Sequence, residues 1–179
     1  MRRFGLAAVM ILGACNVEDG SMDRTLVLEN ATGELIGLGN HPNVGGVIEV
    51  AMQVDGNWEP LLASDNCLDI CGKPTTICAM PAMAPGLYAL PDGDFAEVEL
   101  PARMYRQFGD CFRETSVVGE LRIDVCYQQD LTDMEGQPID PIEQGFIDSA
   151  DASDSSCQTE EFSLDDTNVE LDMILELEG

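Results

Sequence analysis

The chain has 179 residues, with 34 acidic side chains against 8 Lys and Arg and a formal net charge of −26. Such an excess of negative charge argues against partners that are themselves polyanions, such as nucleic acid or an anionic lipid surface. The length fits one domain with a sizeable core, because a domain of about 150 residues buries roughly 70% of its unfolded surface.

The amino terminus has the pattern of an export signal. Arg2 and Arg3 are followed by an apolar run from Phe4 to Leu12 and then by small residues. This run is too short to cross a bilayer as a helix, so it predicts a cleaved secretory signal. The junction Leu12-Gly13-Ala14-Cys15 resembles the lipobox of bacterial lipoproteins.

The lipobox resemblance implies a signal peptide over residues 1–14, a lipid-anchored tether over 15–23 and one domain over 24–179. In that family the cysteine thiol carries diacylglycerol, and the new amino group is often acylated with a fatty acid such as palmitate. Each buried methylene of the acyl chains adds ~0.8 kcal/mol, so two or three chains anchor firmly. Cleavage removes two arginines and changes the net charge from −26 to −28. The alternative is an ordinary cleaved signal that leaves Cys15 as a structural cysteine.

The residue after the lipidated cysteine directs sorting in some bacteria. Asn16 is not the aspartate that is associated there with inner-membrane retention, so the resemblance favours the outer membrane over the inner one. The tether reaches only ~25 Å when fully extended, which would keep the domain close to the membrane.

The cysteine count agrees with a lipidated Cys15. The chain has 7 cysteines, and an odd number leaves one thiol unpaired in an oxidising compartment. Assigning one to lipid leaves six that we expect to form disulfides: Cys67, Cys71, Cys78, Cys111, Cys126 and Cys157. Zinc is a minority alternative, because the paired C-x2-C spacing is absent and the single histidine, His41, is distant in sequence. We expect Cys126 to pair with Cys157, and Cys111 with one of the three early cysteines.

Alternation of apolar and polar residues predicts an all-β fold. Strict alternation places one face of each strand in a core and the other in water, which is typical of antiparallel sheets, and no segment has a sustained helical period. The prediction is an antiparallel, immunoglobulin-like β-sandwich with long disulfide-pinned loops, and a small β-barrel is the alternative. The predicted strands are Thr25–Leu28, Ile48–Val54, Ala96–Leu100, Leu121–Tyr127, Glu161–Leu164 and Val169–Leu177.

Two long segments between the predicted strands are rich in loop-forming residues. Residues 64–85 contain three cysteines and three prolines, and residues 129–157 are acidic, with Gly, Pro and Ser. Both are too long for simple turns. Cys126 alternates with Leu121 and Val125, so its disulfide should lie on the outer face or at a sheet edge and pin a loop.

The clearest local anomaly is a segment that combines arginine with aromatic residues. Both residue types anchor protein interfaces, so the segment is a candidate partner-binding patch. The alternative is that the arginines pair with neighbouring acids and the aromatics fill the core. The candidate residues are Arg103, Tyr105, Arg106, Phe108, Phe112 and Arg113.

Catalytic and metal-binding signals are weak. No catalytic residue is predicted, because His41 precedes Pro42 in a loop and no G-x-S-x-G motif is present. Asp148, Asp151 and Asp154 recur in a Ser- and Ala-rich segment and are weak calcium candidates, but their spacing is not that of an EF-hand. No cofactor is expected.

A wider resemblance covers several short segments. The chain resembles small cysteine-rich lipoproteins of myxobacteria in the order of these segments: Leu26-Val27-Leu28-Glu29-Asn30-Ala31-Thr32, Asp65-Asn66-Cys67, Leu121 to Tyr127, the late Cys157 and a closing strand. That resemblance carries no activity. The expected function is a non-catalytic, lipid-anchored cell-envelope module that is structural or binds another envelope protein or component. The alternatives are a carboxylate-based hydrolase on a β scaffold and a calcium-binding surface domain.

Overall fold

Every regular element in the structure is a β-strand, which confirms the all-β prediction. The computed structural model describes residues 22–39, 48–63, 68–74, 87–133, 135–139, 145–147, 151–165 and 169–177. Its strands are β1 (Arg24–Asn30), β2 (Ile36–Gly39), β3 (Ile48–Val54), β4 (Asn57–Leu62), β5 (Leu87–Leu90), β6 (Phe95–Leu100), β7 (Arg103–Phe108), β8 (Cys111–Ser116), β9 (Gly119–Thr132), β10 (Gly145–Ile147), β11 (Asp151–Leu164) and β12 (Glu170–Leu175).

The strands form two sheets that share one hydrophobic core. The smaller sheet has the order β12-β1-β6, and the larger one joins the nine other strands around β9. Leu26 and Leu28 of β1 and Leu171 of β12 belong to the same buried cluster as Ile123 and Val125 of β9. The inner faces of the two sheets therefore cover each other, as in a β-sandwich.

The larger sheet branches at β9. One edge of β9 pairs along its length with β11, from Gly119 opposite Leu164 to Thr132 opposite Asp151. The other edge is divided, because β3 pairs with its first half and β2 with its second half. The arm β3-β4-β7-β8 and the arm β2-β5-β10 therefore both depend on the position of β9.

Side-chain alternation along β9 follows the prediction. Leu121, Ile123, Val125 and Tyr127 are each at most 1% exposed, whereas the residues between them are only half-buried. The Tyr127 hydroxyl donates a hydrogen bond to the Glu176 carbonyl at 2.7 Å. That bond satisfies the polar end of a fully buried aromatic ring and ties β9 to the segment that follows β12.

The prediction of a long acidic loop over residues 129–157 is wrong for most of the described part. β9 continues to Thr132, and β11 begins at Asp151. The sequence of β11 lacks apolar alternation because the strand is polar over most of its length and is held by its backbone ladder to β9. Side chains add to this pairing where Ser156 Oγ donates to Gln129 Oε1 at 3.0 Å.

The expectation of purely antiparallel sheets is wrong at one strand pair. β12 pairs parallel with β1, from Thr25 opposite Glu170 to Asn30 opposite Leu175, while the other named pairings are antiparallel. A parallel pair needs a crossover connection. Here the connection between the two paired strands contains all ten of the other strands, from β2 to β11.

Arg24 lies where these connections meet and is only 3% exposed. Its Nη1 donates to the carbonyls of Met22 at 3.0 Å and Val117 at 3.2 Å, and its Nη2 donates to the Asp165 carbonyl at 3.3 Å. The guanidinium thus holds together the start of β1, the β8–β9 connection and the β11–β12 connection. The sequence offered no sign of this role, since Arg24 simply precedes an apolar strand.

We expect Arg24→Met to lower the free energy of unfolding by about 2 to 4 kcal/mol, because three carbonyls lose charge-assisted hydrogen bonds. Urea denaturation measures the change. Arg122→Met is the matched control: the Arg122 side chain is 34% exposed and bonds only to Asp124 at 3.2 Å and to the Trp58 ring, so we expect a loss below about 1 kcal/mol. Equal losses in the two variants would contradict this role of Arg24.

β2 was missed in the sequence because it is short and contains glycine. A Cβ on Gly37 would lie 3.1 Å from side-chain atoms of both Leu131 and Leu87. The absence of a side chain therefore lets β2 fit between β9 and β5.

Gly37→Val should destabilise the protein by about 1 to 3 kcal/mol through overpacking. Gly145→Val is the control, because a Cβ there would meet nothing within 4 Å. Thermal and urea unfolding of both variants would check this. If Gly37→Val were no less stable than Gly145→Val, the close approach at Gly37 would be disproved.

Candidate ligand-binding surface

Two disulfides lie within the described residues, and they confirm both expected pairings. Cys126 is bonded to Cys157, and Cys111 is bonded to Cys71, one of the three early cysteines. Cys67 and Cys78 lie outside the described residues, as do Cys15 and His41.

The Cys126–Cys157 bond joins residues that are directly opposite each other in the β9–β11 ladder, with their Cα atoms 4.0 Å apart. Cys157 is exposed and Cys126 is half-buried, so the bond lies on the outer face as expected. The expectation that it pins a loop is wrong. It instead joins two long paired strands near their middle.

The Cys71–Cys111 bond fixes a separate segment to the tip of the β7–β8 hairpin. The Phe112 backbone N–H donates to the Asp69 carbonyl at 2.7 Å, and the Cys71 N–H donates to the Phe112 carbonyl at 2.9 Å. Gly109, with a φ of 60°, occupies the first position of the two-residue turn, where the type II′ geometry of a hairpin favours glycine. The hairpin tip is thus held by a turn, a backbone bridge and a covalent bond.

The predicted arginine–aromatic patch lies on this hairpin, but the structure divides it between two faces. Met104 is 2% exposed and belongs to the core, so Arg106 and Phe108, two and four residues later, share its inner face. Arg113 is opposite Arg106 and lies on the same face. The outer face carries the other three candidates, Arg103, Tyr105 and Phe112.

We call Arg106, Phe108 and Arg113 the Arg–Phe cluster. The Arg106 guanidinium carbon is 4.4 Å from the centroid of the Phe108 ring, and that of Arg113 is 4.9 Å from it. The Phe108 residue is 38% exposed. Two cations within this distance of one ring interact favourably with its negative face, by about 0.5 to 1 kcal/mol each at exposed sites.

The cluster continues a row of residues that begins in the core. In strand register, Ile123 is opposite Val50, Val50 is opposite Leu61, and Leu61 is opposite Arg106. The first three are at most 6% exposed. The Arg106 side chain is 15% exposed and Arg113 is exposed. The inner face of the large sheet is therefore apolar at β9, β3 and β4 and becomes cationic at β7 and β8, at the edge of the sheet.

Among the described residues, one carboxylate balances the two guanidinium groups of the cluster. Arg106 Nη1 is 3.3 Å from Glu59 Oε2. Within the same described part of the chain, Arg113 has no hydrogen-bond or ion-pair partner, and its guanidinium contacts the Phe108 ring. The cluster thus has a net positive charge on the surface of an acidic protein.

The arrangement carries two local costs. Arg106 and Arg113 are like charges directly opposite each other in an antiparallel pair, which is destabilising. The Arg106 Nε atom is buried and has no hydrogen-bond partner, and an unsatisfied buried donor costs about 1 to 3 kcal/mol. Uncompensated local costs of this kind are expected where side chains serve binding.

On the outer face, Arg103 pairs with an acid as the alternative expects, whereas Tyr105 and Phe112 are half-buried there and do not belong to the core cluster. Arg103 Nη1 is 3.6 Å from Glu114 Oε2, and both side chains are about half exposed. Tyr105 is half-buried and lies opposite Leu62, and Phe112 is half-buried and bridged to Ile70. This face pairs its cation with a neighbouring acid and supports the segment held by Cys71.

An acidic cleft lies at the start of β1. It has a volume of about 330 Å³ and is lined by Asp23, Arg24, Thr25, Glu97 and Glu99. The Glu97 and Glu99 residues are exposed, and Asp23 Oδ1 accepts a hydrogen bond from the Ala102 N–H at 2.7 Å.

The calcium candidates do not form a loop in the described residues. Asp151 and Asp154 belong to β11, and Asp148 lies outside the described residues. Among the residues that the structure describes, no three His, Cys, Asp or Glu side chains are placed to hold a metal ion.

Comparisons with protein-family models, curated proteins and solved structures find no match for this chain. None of the described residues belongs to a helix with the length and apolar character needed to cross a membrane.

Proposed function

We propose that the protein is a non-catalytic, lipid-anchored module of the cell envelope that binds a ligand through its Arg–Phe cluster. The lipobox Leu12-Gly13-Ala14-Cys15 supports the anchor, and Asn16, which is not the aspartate associated with inner-membrane retention in some bacteria, favours the outer membrane. The two disulfides support an oxidising compartment, since such bonds persist outside the cytoplasm.

One observation carries the binding function. Arg113 is exposed and has no acidic partner among the residues that the structure describes, although the chain as a whole is rich in acidic residues. In an acidic protein a surface arginine is expected to find a carboxylate, as Arg103 and Arg106 do. An arginine held against an exposed aromatic ring is the kind of side-chain pair that anchors interfaces.

The support beneath the cluster suits binding as well. Phe108 is opposite Cys111, so the Cys71–Cys111 bond fixes the strand pair at the position of the ring. A binding group held by a rigid element loses less conformational entropy when its ligand arrives.

The binding function is tested by comparing variants of the full, lipidated chain as bait for components of the native envelope, with mild crosslinking before solubilisation. We expect Arg113→Ala to abolish recovery of the bound component, because it removes the uncompensated cation. Arg103→Ala is the matched control, since Arg103 lies on the opposite face of the same strand pair and is paired with Glu114. Recovery that is the same for wild type and Arg113→Ala would contradict the binding surface.

The anchor is tested by intact mass spectrometry of protein extracted from membranes, with and without reduction. We expect the mass of a chain that begins at Cys15 and carries diacylglycerol with or without an additional acyl chain. Because four of the other six cysteines are paired in the structure, we expect no free thiol, with Cys67 and Cys78 forming the remaining disulfide. A chain that carries no lipid would contradict the anchor. Alkylation of Cys67 and Cys78 by a thiol reagent before reduction would contradict the third disulfide.

A further inference from the structure

The Arg–Phe cluster has one positive charge more than it has negative charges. Two guanidinium groups face one carboxylate, that of Glu59, and the uncompensated charge is at Arg113. One further negative charge would neutralise the cluster and relieve the repulsion between Arg106 and Arg113. The expected ligand group is therefore a monoanion.

The charge of the whole chain limits how much negative charge the ligand can carry. With a net charge of −26, each additional charge on a ligand raises the repulsion from the rest of the protein. Charges separated by more than about 8 Å are largely screened at physiological ionic strength, so this repulsion and the attraction of Arg113 both act mainly between near neighbours. A polyanion or a phosphate dianion is disfavoured relative to a single carboxylate.

The geometry of the side chains is compatible with the same group. A guanidinium presents its N–H donors in a planar fork that matches two oxygens of a carboxylate or of a phosphate, so charge is what separates the two ligand groups. The Phe108 ring lies beside the two guanidinium groups. Because Phe108 is 38% exposed, part of its apolar surface is accessible next to the N–H donors. An acid with an apolar or aromatic skeleton can contact both.

We infer that the Arg–Phe cluster is a binding site for a monocarboxylate with an apolar or aromatic skeleton. Arg113 binds the carboxylate, and the exposed part of the Phe108 ring packs against the skeleton. Arg106, paired with Glu59, holds the ring and adds positive potential. This inference rests on the proposed binding function and names the chemical class of the ligand.

Phenylacetate is a suitable probe, with phenylacetamide as its neutral analogue and phenyl phosphate as its more highly charged one. The full lipidated chain is titrated in non-ionic detergent, and the arginine Nε–H signals and the Phe108 ring signals are followed by NMR. We expect phenylacetate to shift the Arg113 and Phe108 signals with a Kd lower than that of either analogue. Equal binding of phenylacetamide, or tighter binding of phenyl phosphate, would overturn the monocarboxylate assignment.

Three variants connect the binding to the named side chains. Arg113→Gln should raise the Kd for phenylacetate about tenfold or more, since one charge-assisted interaction is lost, whereas Arg103→Gln should leave it unchanged. Phe108→Leu should weaken phenylacetate more than acetate, because only the former contacts the ring. An unchanged Kd in Arg113→Gln would place the binding elsewhere and overturn the inference.

Recovery of the envelope component and binding of phenylacetate together distinguish a wrong ligand class from a wrong binding surface. If recovery of the envelope component depends on Arg113 but phenylacetate binds no better than phenylacetamide, the cluster binds a ligand of another class and only the carboxylate inference is wrong. If neither recovery nor carboxylate binding depends on Arg113, both are wrong.

Discussion

The antiparallel ladder between β9 and β11 is the interaction on which the rest of the fold depends. β11 occupies one edge of β9 along its length, and this leaves a single edge for both arms of the large sheet. The buried side chains from Leu121 to Tyr127 lie along the same strand. The Cys126–Cys157 bond crosses the ladder near its middle, so the strand that supports both arms is also covalently held to its partner.

The position of the Arg–Phe cluster follows from that strand through register. β3 pairs with the first half of β9, and each strand outward from it keeps the same residues on the inner face. The row from Ile123 therefore reaches Arg106 and Arg113 on the side that is apolar in the core. A shift of one residue in any of these pairings would turn the arginines to the outer face. Since the Cys71–Cys111 bond fixes the outermost strand, the cluster is held at both ends of the row.

Some of this arrangement could be predicted from the sequence because it depends on local patterns. The alternation in β9 and β12 predicted buried strands, and the expectation that Cys126 and Cys157 join neighbouring late strands gave their pairing, although six cysteines allow fifteen connectivities. The strand β11 was only partly predicted because a polar strand held by backbone hydrogen bonds has no apolar period. The parallel pairing of β1 with β12 and the buried role of Arg24 depend on tertiary contacts between distant segments, for which a single sequence has no signal. The six residues of the candidate patch were identified together, but their division between two faces required the strand bounds of β7 and β8.

In the proposed function, the charge of Arg113 serves binding and contributes little to folding. Truncation of Arg113 removes its contact with the Phe108 ring, which is destabilising, and also removes a like charge opposite Arg106, which is stabilising. The two contributions to the free energy of unfolding are of similar size. The most direct test is the free energy of unfolding of ligand-free Arg113→Ala, measured by urea denaturation beside the wild type. We predict a difference within about 0.5 kcal/mol. A loss of more than about 1.5 kcal/mol would show that Arg113 is a structural partner and would contradict the account.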